Sequence, residues 1–190
     1  MTRLYKNKYR IPSARLTGWD YGNPGSYFIT ICTYNRECCF GQVRHAKMVL
    51  SKIGKKACKY WQEIPDHFNN IQLGPFIIMP NHIHGILNLM NISGRDVACN
   101  VSTFPVPTEN AMSKMSPKPG SLSIVIRSYK SALTNWAHQN HFPDFQWQTR
   151  FYDHIIRDES DYKRIEKYII NNPARWQDEK NQPDSPQSNI

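Results

Sequence analysis

Two histidines stand one residue apart in the stretch "MPNHIHGIL", residues 79–87. The stretch begins with a Pro-Asn turn signal and continues into an apolar run, which is typical of a strand. On a strand, residues i and i+2 point to the same face, with Cα atoms roughly 6.5–7 Å apart. His82 and His84 can therefore hold one divalent ion between them. Two partly exposed histidines on an alternating strand would give the same pattern, so a metal site requires a partner elsewhere in the chain.

A candidate partner occurs in "YKRIEKYIINNPARW", where Tyr168 and Asn172 are four residues apart and so share one face of a helix. Asn172 offers an oxygen ligand and Tyr168 offers a nucleophile. A free tyrosine hydroxyl, with a pKa of ~10, attacks poorly at neutral pH unless a metal polarises the phosphate under attack. The alternative is an ordinary packing face, formed by Ile165, Tyr168, Ile169 and Asn172.

The segments around the histidines predict the elements that position them. "SYFITICTY", residues 26–34, predicts a central strand. Ser51 predicts the start of a helix that ends at Pro65, with apolar residues at helical spacing: Ile53, Ala57, Tyr60, Trp61 and Ile64. "IQLGPFIIM" and "HIHGILNLM" predict an antiparallel pair of strands joined by a tight turn at Pro80-Asn81.

The second half of the chain predicts two further helices. The first runs from about residue 121 to 138, and its apolar stripe is Leu122, Val125, Ile126, Tyr129, Leu133 and Trp136. Arg127 and Lys130 lie off that stripe, where they meet either phosphates or solvent. "FQWQTRFYDHII" predicts a short strand or turn. The next helix is expected to begin at Asp158 or Ser160 and to end at Pro173.

The length of 190 residues indicates one domain. We expect a basic N-terminal arm over residues 1–14 and a catalytic domain over 15–176. A flexible insertion, rich in Ser, Pro, Asn and Gly, is expected within that domain at about 91–120. The segment 177–190 is polar and is expected to be a disordered tail.

The charge favours a polyanionic partner, nucleic acid before membrane, because Lys plus Arg exceed Asp plus Glu by 24 − 15 = +9. The basic residues near the N-terminus are Arg3, Lys6, Lys8, Arg10 and Arg15, and no apolar signal-peptide region follows them. Five cysteines without Cys-x-x-Cys spacing are expected to be reduced core residues. These features indicate a cytoplasmic protein, associated with the nucleoid when bound to DNA.

Four blocks, in order, resemble the REP-associated tyrosine transposases, members of the His-hydrophobe-His (HUH) single-strand transposase superfamily. The blocks are "RLTGWDYGNPGSYFITICTYNRECCFG", "MPNHIHGIL", "SLSIVIRSYKSALT" and "FYDHIIRDESDYKRIEKYIINNPARW". The resemblance spans about Arg15 to Trp176. It implies an α+β fold in which a ferredoxin-like antiparallel sheet carries the histidine pair and flanking helices cover it, one of them presenting a tyrosine.

The resemblance also assigns roles by position. His82 and His84 match the metal-binding pair, Tyr168 matches the nucleophile, and Asn172 takes the place of the third ligand, where some relatives have glutamine. His154 and Arg157 match the "DHIIRD" segment and are expected near the site, with no role assigned; turn and capping residues would give the same pattern. The rival nucleophiles Tyr152 and Tyr162 have no amide four residues later.

The activity implied is cleavage and rejoining of single-stranded or hairpin DNA through a 5′-phosphotyrosine, with Mg²⁺ or Mn²⁺ as the cofactor. Arg127, Lys130 and the basic arm are expected to contact DNA, and the protein is expected to be a monomer or homodimer without a membrane partner. Two alternatives remain open. One is a domesticated hairpin-binding protein that no longer cuts, and the other is a metal phosphodiesterase that uses water.

Overall fold

The computed structural model describes residues 18–91 and 120–181, with the backbone alone for 177–181. Several predicted features lie wholly or mostly outside the described residues. They are the basic arm over 1–14, the neighbouring Arg15, residues 92–119 of the expected insertion with Cys99, and residues 182–190 of the expected tail; the basic residues of the arm are Arg3, Lys6, Lys8 and Arg10.

Six strands and four helices follow one another in the described ranges, together with a 3-10 turn at Tyr34–Arg36. They are β1 (Gly25–Cys32), β2 (Gly41–Arg44), β3 (Lys47–Leu50), α1 (Lys52–Gln62), α2 (Ile64–His67), β4 (Ile71–Ile78), β5 (His82–Leu89), α3 (Leu122–Gln139), β6 (Tyr152–Ile156) and α4 (Glu159–Asn181).

The main sheet has four strands in the order β4-β5-β1-β6, and every neighbouring pair is antiparallel. Since β1 and β4 are joined through helices and are separated by β5, the sheet is the split arrangement of a ferredoxin-like fold. The α+β class and the ferredoxin-like sheet expected from the sequence are therefore confirmed. A second sheet, the hairpin β2–β3, lies outside that expectation.

The two faces of the main sheet carry different packing. One face, including Ile29, Ile83 and Leu87, packs with α1 and α3 in the larger core. The other face carries a smaller cluster in which Phe28 and Ile86 meet α4. Strand β5 is buried on both faces from His82 to Leu87, so its polar residues must find partners inside the protein.

Several sequence-predicted elements have the expected local signals. Ser51 caps α1, because its hydroxyl accepts a hydrogen bond from the Gly54 amide at 3.1 Å. Asp158 caps α4 in the same way, accepting from the Asp161 amide at 2.8 Å. A tight turn that contains Pro80-Asn81 joins β4 to β5, and the Met79 amide donates to the His82 carbonyl across it.

The expected end of the last helix at Pro173 is wrong, because α4 continues through this proline to Asn181. A proline inside a helix removes one backbone hydrogen bond and costs roughly 3 kcal/mol. Tertiary packing offsets that cost, since Pro173 is buried and Trp176, one turn later, packs against His82. The first residues of the expected disordered tail are thus helical.

The described cysteines are free thiols, as expected, but the expected core position holds only in part: Cys39 and Cys58 pack against the larger core, whereas Cys38 is exposed. Cys32, Cys39 and Cys58 are half-buried. Burial raises the pKa of Cys39 to about 12. Within the described ranges, no helix has the length and apolar character needed to cross a membrane.

Candidate active site

The two histidines lie on the first residues of β5, at one end of the main sheet. His82 is paired with Cys32, the last residue of β1, and His84 is paired with Thr30. Both side chains point to the face covered by α4, as strand parity requires, and their ring centroids are 4.4 Å apart. His82 is 9% exposed and His84 is 5% exposed.

Asn81 holds the ring of His82. The amide nitrogen of Asn81 donates to the Arg36 carbonyl at 3.0 Å, which turns the Asn81 Oδ1 atom toward His82. The Nδ1 atom of His82 donates to that oxygen at 2.7 Å. The Nε2 atom must then carry a lone pair, and it is buried without a hydrogen bond in the described part of the chain.

His84 is oriented in a comparable way from β1. Its Nδ1 atom is 2.8 Å from the hydroxyl of Thr30. The ring of Phe28 stacks on the imidazole, with centroids 5.3 Å apart. These two contacts turn the Nε2 atom of His84 toward α4, where it lies 3.4 Å from the hydroxyl of Tyr168.

Burial keeps both imidazoles neutral at physiological pH. It lowers the pKa of His82 to about 4; the charge of Arg36 acts in the same direction and the nearby side chain of Asn172 acts in the opposite one. Burial and then the neighbouring His82 hold the pKa of His84 well below its ordinary value. Neutral imidazole is the form that binds a metal ion.

Helix α4 supplies three further side chains to this face. Tyr168 is half-buried, and its ring contacts His84 at 5.2 Å between centroids. Asn172, one turn later, is 7% exposed. Arg175, two turns after Tyr168, places its guanidinium 5.5 Å from the centre of the Tyr168 ring and is exposed. A cation beside the tyrosine can bind a phosphate held there.

The donor set fits a divalent cation. Both histidines use Nδ1 for a hydrogen bond, which leaves the Nε2 atoms facing α4, and this is the usual support for metal-binding histidine. No cluster of three His, Cys, Asp or Glu side chains occurs in the described ranges, so an amide oxygen such as that of Asn172 would complete the protein ligands. Two imidazoles and one amide leave positions open for substrate oxygens, unlike a closed structural zinc site.

Two other predicted site residues lie before the start of α4, on β6 and just after it. His154 on β6 pairs with Asp161, at 2.8 Å between Nε2 and Oδ2. Arg157 is exposed just after β6. The structure does not bring either side chain into contact with the histidine pair, and their role at the site stays a prediction.

The rival tyrosines, and the two basic residues on α3, have no described contact with His82 or His84. Tyr152 and Tyr162 are half-buried in the cluster between α4 and the sheet. Lys130 turns inward, donating to the Gln148 carbonyl at 2.6 Å, and burial lowers its pKa to about 8. Arg127 is exposed. Lys130 is thus engaged within the protein, and DNA contact by either residue stays a prediction.

Sequence reasoning missed the residues that orient the site. The sequence marks Asn81 only as part of a turn, and Thr30 and Phe28 only as residues of a strand. Arg175 was inside the matched "NPARW" block but had no separate signal. The position of Asn81 directly before the His-x-His pair is the one feature of the sequence that could have indicated its contact with His82.

Comparison with known proteins extends these observations. A solved REP-associated tyrosine transposase, bound to a REP hairpin, aligns with 80% of this chain and 68% of its own chain, at a TM-score of 0.52 and 18% sequence identity. No family model matches the chain. The protein therefore has the same fold as this transposase.

A closer sequence relation comes from Haemophilus influenzae. An uncharacterized protein of that organism is 37% identical over 166 residues, which is 87% of this chain and 89% of the relative. The chain belongs to the same family as this Haemophilus protein.

Proposed function

We propose that this protein is a metal-dependent tyrosine transposase that cleaves and rejoins single-stranded DNA, acting at hairpin-forming repeats. The observation that carries the proposal is that the Tyr168 hydroxyl lies 3.4 Å from the Nε2 atom of His84, whose ring in turn lies 4.4 Å from the ring of His82. A phosphate held at the two histidines would lie within reach of that hydroxyl. The transposase of the same fold, solved with a REP hairpin, supports the choice of substrate.

The chemical step is a transesterification. The Tyr168 oxygen forms a bond to phosphorus while the bond between phosphorus and the 3′-oxygen breaks. The phenolic proton is lost to solvent and the departing 3′-oxygen takes a proton from solvent, which leaves a 5′-phosphotyrosine and a 3′-hydroxyl. Attack by a DNA 3′-hydroxyl reverses the step, so no external energy source is needed.

Different residues of the chain would bind the cation, orient the imidazoles and supply positive charge during this step. His82, His84 and Asn172 would hold the cation, Mg²⁺ or Mn²⁺. When bound, that cation supplies charge neutralisation at the phosphate oxygens. Phe28 and Asn81 keep the imidazoles in position, and Arg175 offers a second positive charge beside the tyrosine.

Replacing Tyr168 with Phe tests the proposal. The change removes one oxygen and keeps the packing of the ring against Phe28, so folding and DNA binding should persist while the covalent adduct disappears. The measurement uses a labelled single-stranded hairpin oligonucleotide, incubated with Mg²⁺ or Mn²⁺, denatured and run on a gel for protein-linked label. Tyr162→Phe, a change of the same size on the same helix, is the matched control and should keep the adduct.

The same gel separates the alternatives. An adduct that survives in Tyr168→Phe, or maps to Tyr152 or Tyr162, would show that the nucleophile is a different residue. Cleavage without an adduct would identify a phosphodiesterase that uses water, and binding without cleavage would identify a hairpin-binding protein. Changing His82 and His84 to Ala should abolish cleavage while Tyr168 is intact.

A further inference from the structure

The candidate active site is closed on one side and open on the other. Toward the middle of the sheet, Phe28 stacks on His84 and also meets the Tyr168 ring edge-on, with centroids 6.1 Å apart. Toward the end of the sheet, the pairing of β1 with β5 stops at Cys32 and His82. We expect a DNA strand held at Tyr168 to continue past His82, toward this end of the sheet.

A cleft of about 710 Å³ begins on that open side. Trp176 forms the boundary between the site and the cleft, because its ring lies 5.7 Å from that of His82 and also lines the cleft. Pro80, from the turn that precedes His82, lines it as well. The opposite wall comes from the hairpin β2–β3, which contributes Gln42 and Val49.

The composition of the cleft suits a nucleobase and not a phosphate. None of its lining residues carries a formal charge, and Val49 on its wall is 47% exposed. The positive charges lie outside the cleft. One is Arg175, which precedes Trp176 in the chain and lies over the Tyr168 ring. The other is Arg36, which is close enough to His82 to lower the pKa of that imidazole. An unpaired nucleotide matches this distribution, with its phosphate outside and its aromatic base inside.

We propose that this cleft binds the unpaired nucleobase that adjoins the cleaved phosphodiester, with the base stacked on Trp176. The proposal rests on the proposed function, since it places the substrate strand relative to Tyr168. It assigns Trp176 and the hairpin β2–β3 to substrate binding. The volume lies in the range of sites that enclose one small organic group.

Binding measurements test this subsite without cleavage. The probe is a DNA hairpin with single-stranded thymidine tails, carrying 2-aminopurine at one tail position at a time, and the protein carries Tyr168→Phe. We expect one position at which 2-aminopurine emission changes on binding, with the change lost in Trp176→Ala and kept in Trp176→Phe. Trp176→Ala should weaken binding of the tailed hairpin roughly tenfold, as loss of one stacked base does.

The controls separate stacking from packing. An abasic site at the responsive position should weaken binding by a similar factor, and combining it with Trp176→Ala should add little. Trp19→Ala, near Tyr27 at the opposite end of the sheet, should leave the emission change intact. A tailless hairpin should bind Trp176→Ala and the parent protein equally.

Three outcomes would overturn the subsite. They are no responsive position, an equal loss of affinity for tailed and tailless hairpins, and a change of oligomeric state in Trp176→Ala by size-exclusion chromatography. The second would assign Trp176 to the support of His82, and the third would assign the cleft to a second copy. If the adduct gel fails but a responsive position is found, the proposed chemistry fails and the nucleotide subsite stands.

Discussion

At the scale of single residues, Asn81 decides how His82 presents its lone pair. Its side chain is fixed on one side by the Arg36 carbonyl and holds His82 Nδ1 on the other. Hydrogen bonds of this kind orient a metal-binding imidazole and set its tautomer, and their loss typically costs 10–100-fold in metal affinity.

We therefore expect Asn81→Ala to weaken Mn²⁺ binding roughly 10–100-fold, measured by isothermal titration calorimetry. The matched control is Asn88→Ala on β5, because the Asn88 side chain accepts a hydrogen bond from Ser26 at the end of that strand far from the histidines. Unchanged Mn²⁺ affinity in Asn81→Ala would show that the cation, if bound, does not depend on the ring of His82.

Arg175 is the second single residue for which we expect a direct effect at the site. Its guanidinium lies over the Tyr168 ring, where it can contact the phosphate that the hydroxyl attacks. Arg175→Gln should slow adduct formation roughly tenfold, since a cation is lost where negative charge develops in the transition state. The measurement is the single-turnover rate of protein-linked label.

Lys167→Gln is the control for that rate. It removes one positive charge from an exposed side chain on the same helix, but Lys167 projects about 100° away from Tyr168 around the helix axis. Equal slowing by both variants would mean that only the overall charge of α4 matters. Arg175→Lys keeps the positive charge but loses the planar guanidinium. A rate above that of Arg175→Gln would show that the charge alone accelerates adduct formation, and an equal rate would show that the two-pronged hydrogen bonding of the guanidinium is required.

At the scale of elements, the position of β5 depends on a glycine beside the histidines. Gly85 faces α1, and a Cβ atom there would lie 2.5 Å from the Trp61 ring and 3.0 Å from the Cβ atom of Phe76. Trp61 is fully buried, so neither it nor the strand can move freely. The absence of a side chain lets α1 pack closely on the strand that carries His84.

Gly85→Ala should accordingly destabilise the protein by about 1–3 kcal/mol, the usual cost of overpacking a core. Urea unfolding followed by circular dichroism measures the change. The double variant with Trp61→Phe should cost less than the sum of the two single changes, because the smaller ring makes room for the methyl group. Simple additivity would show that the contact with Trp61 is not the source of the strain.

At the scale of the whole molecule, the net charge of +9 predicts that the proposed binding of DNA depends on salt concentration. Each phosphate contact made by Lys or Arg releases counterions, so affinity falls as salt rises. We expect binding of a hairpin oligonucleotide to weaken at least roughly tenfold between about 50 and 200 mM salt, measured by fluorescence anisotropy. Hairpin DNA with single-stranded tails should bind better than duplex of equal length. A flat salt response, or a preference for duplex, would contradict this.

Much of the fold was predictable because its signals are local. Alternation and β-branched residues identified β1, β4 and β5, and the Ser51 cap with helical spacing identified α1. The hairpin β2–β3 was missed, since its turn uses His45 and Ala46 at φ 49° and 56° in place of the Asn-Gly that such turns favour. The end of α4 was misplaced because proline is a strong local stop that tertiary packing overrode.

The sequence by itself determined that His82 and His84 share one face and that Tyr168 and Asn172 share another, because strand and helix periodicity act over two to four residues. Only the tertiary structure decided that these faces meet, with the Tyr168 hydroxyl 3.4 Å from a histidine 84 positions earlier. It also decided that Asn81 supports His82, that Arg175 lies over Tyr168, and that Trp176 separates the site from a cleft. Such contacts depend on the order of strands and the packing of α4, which no short stretch of sequence specifies.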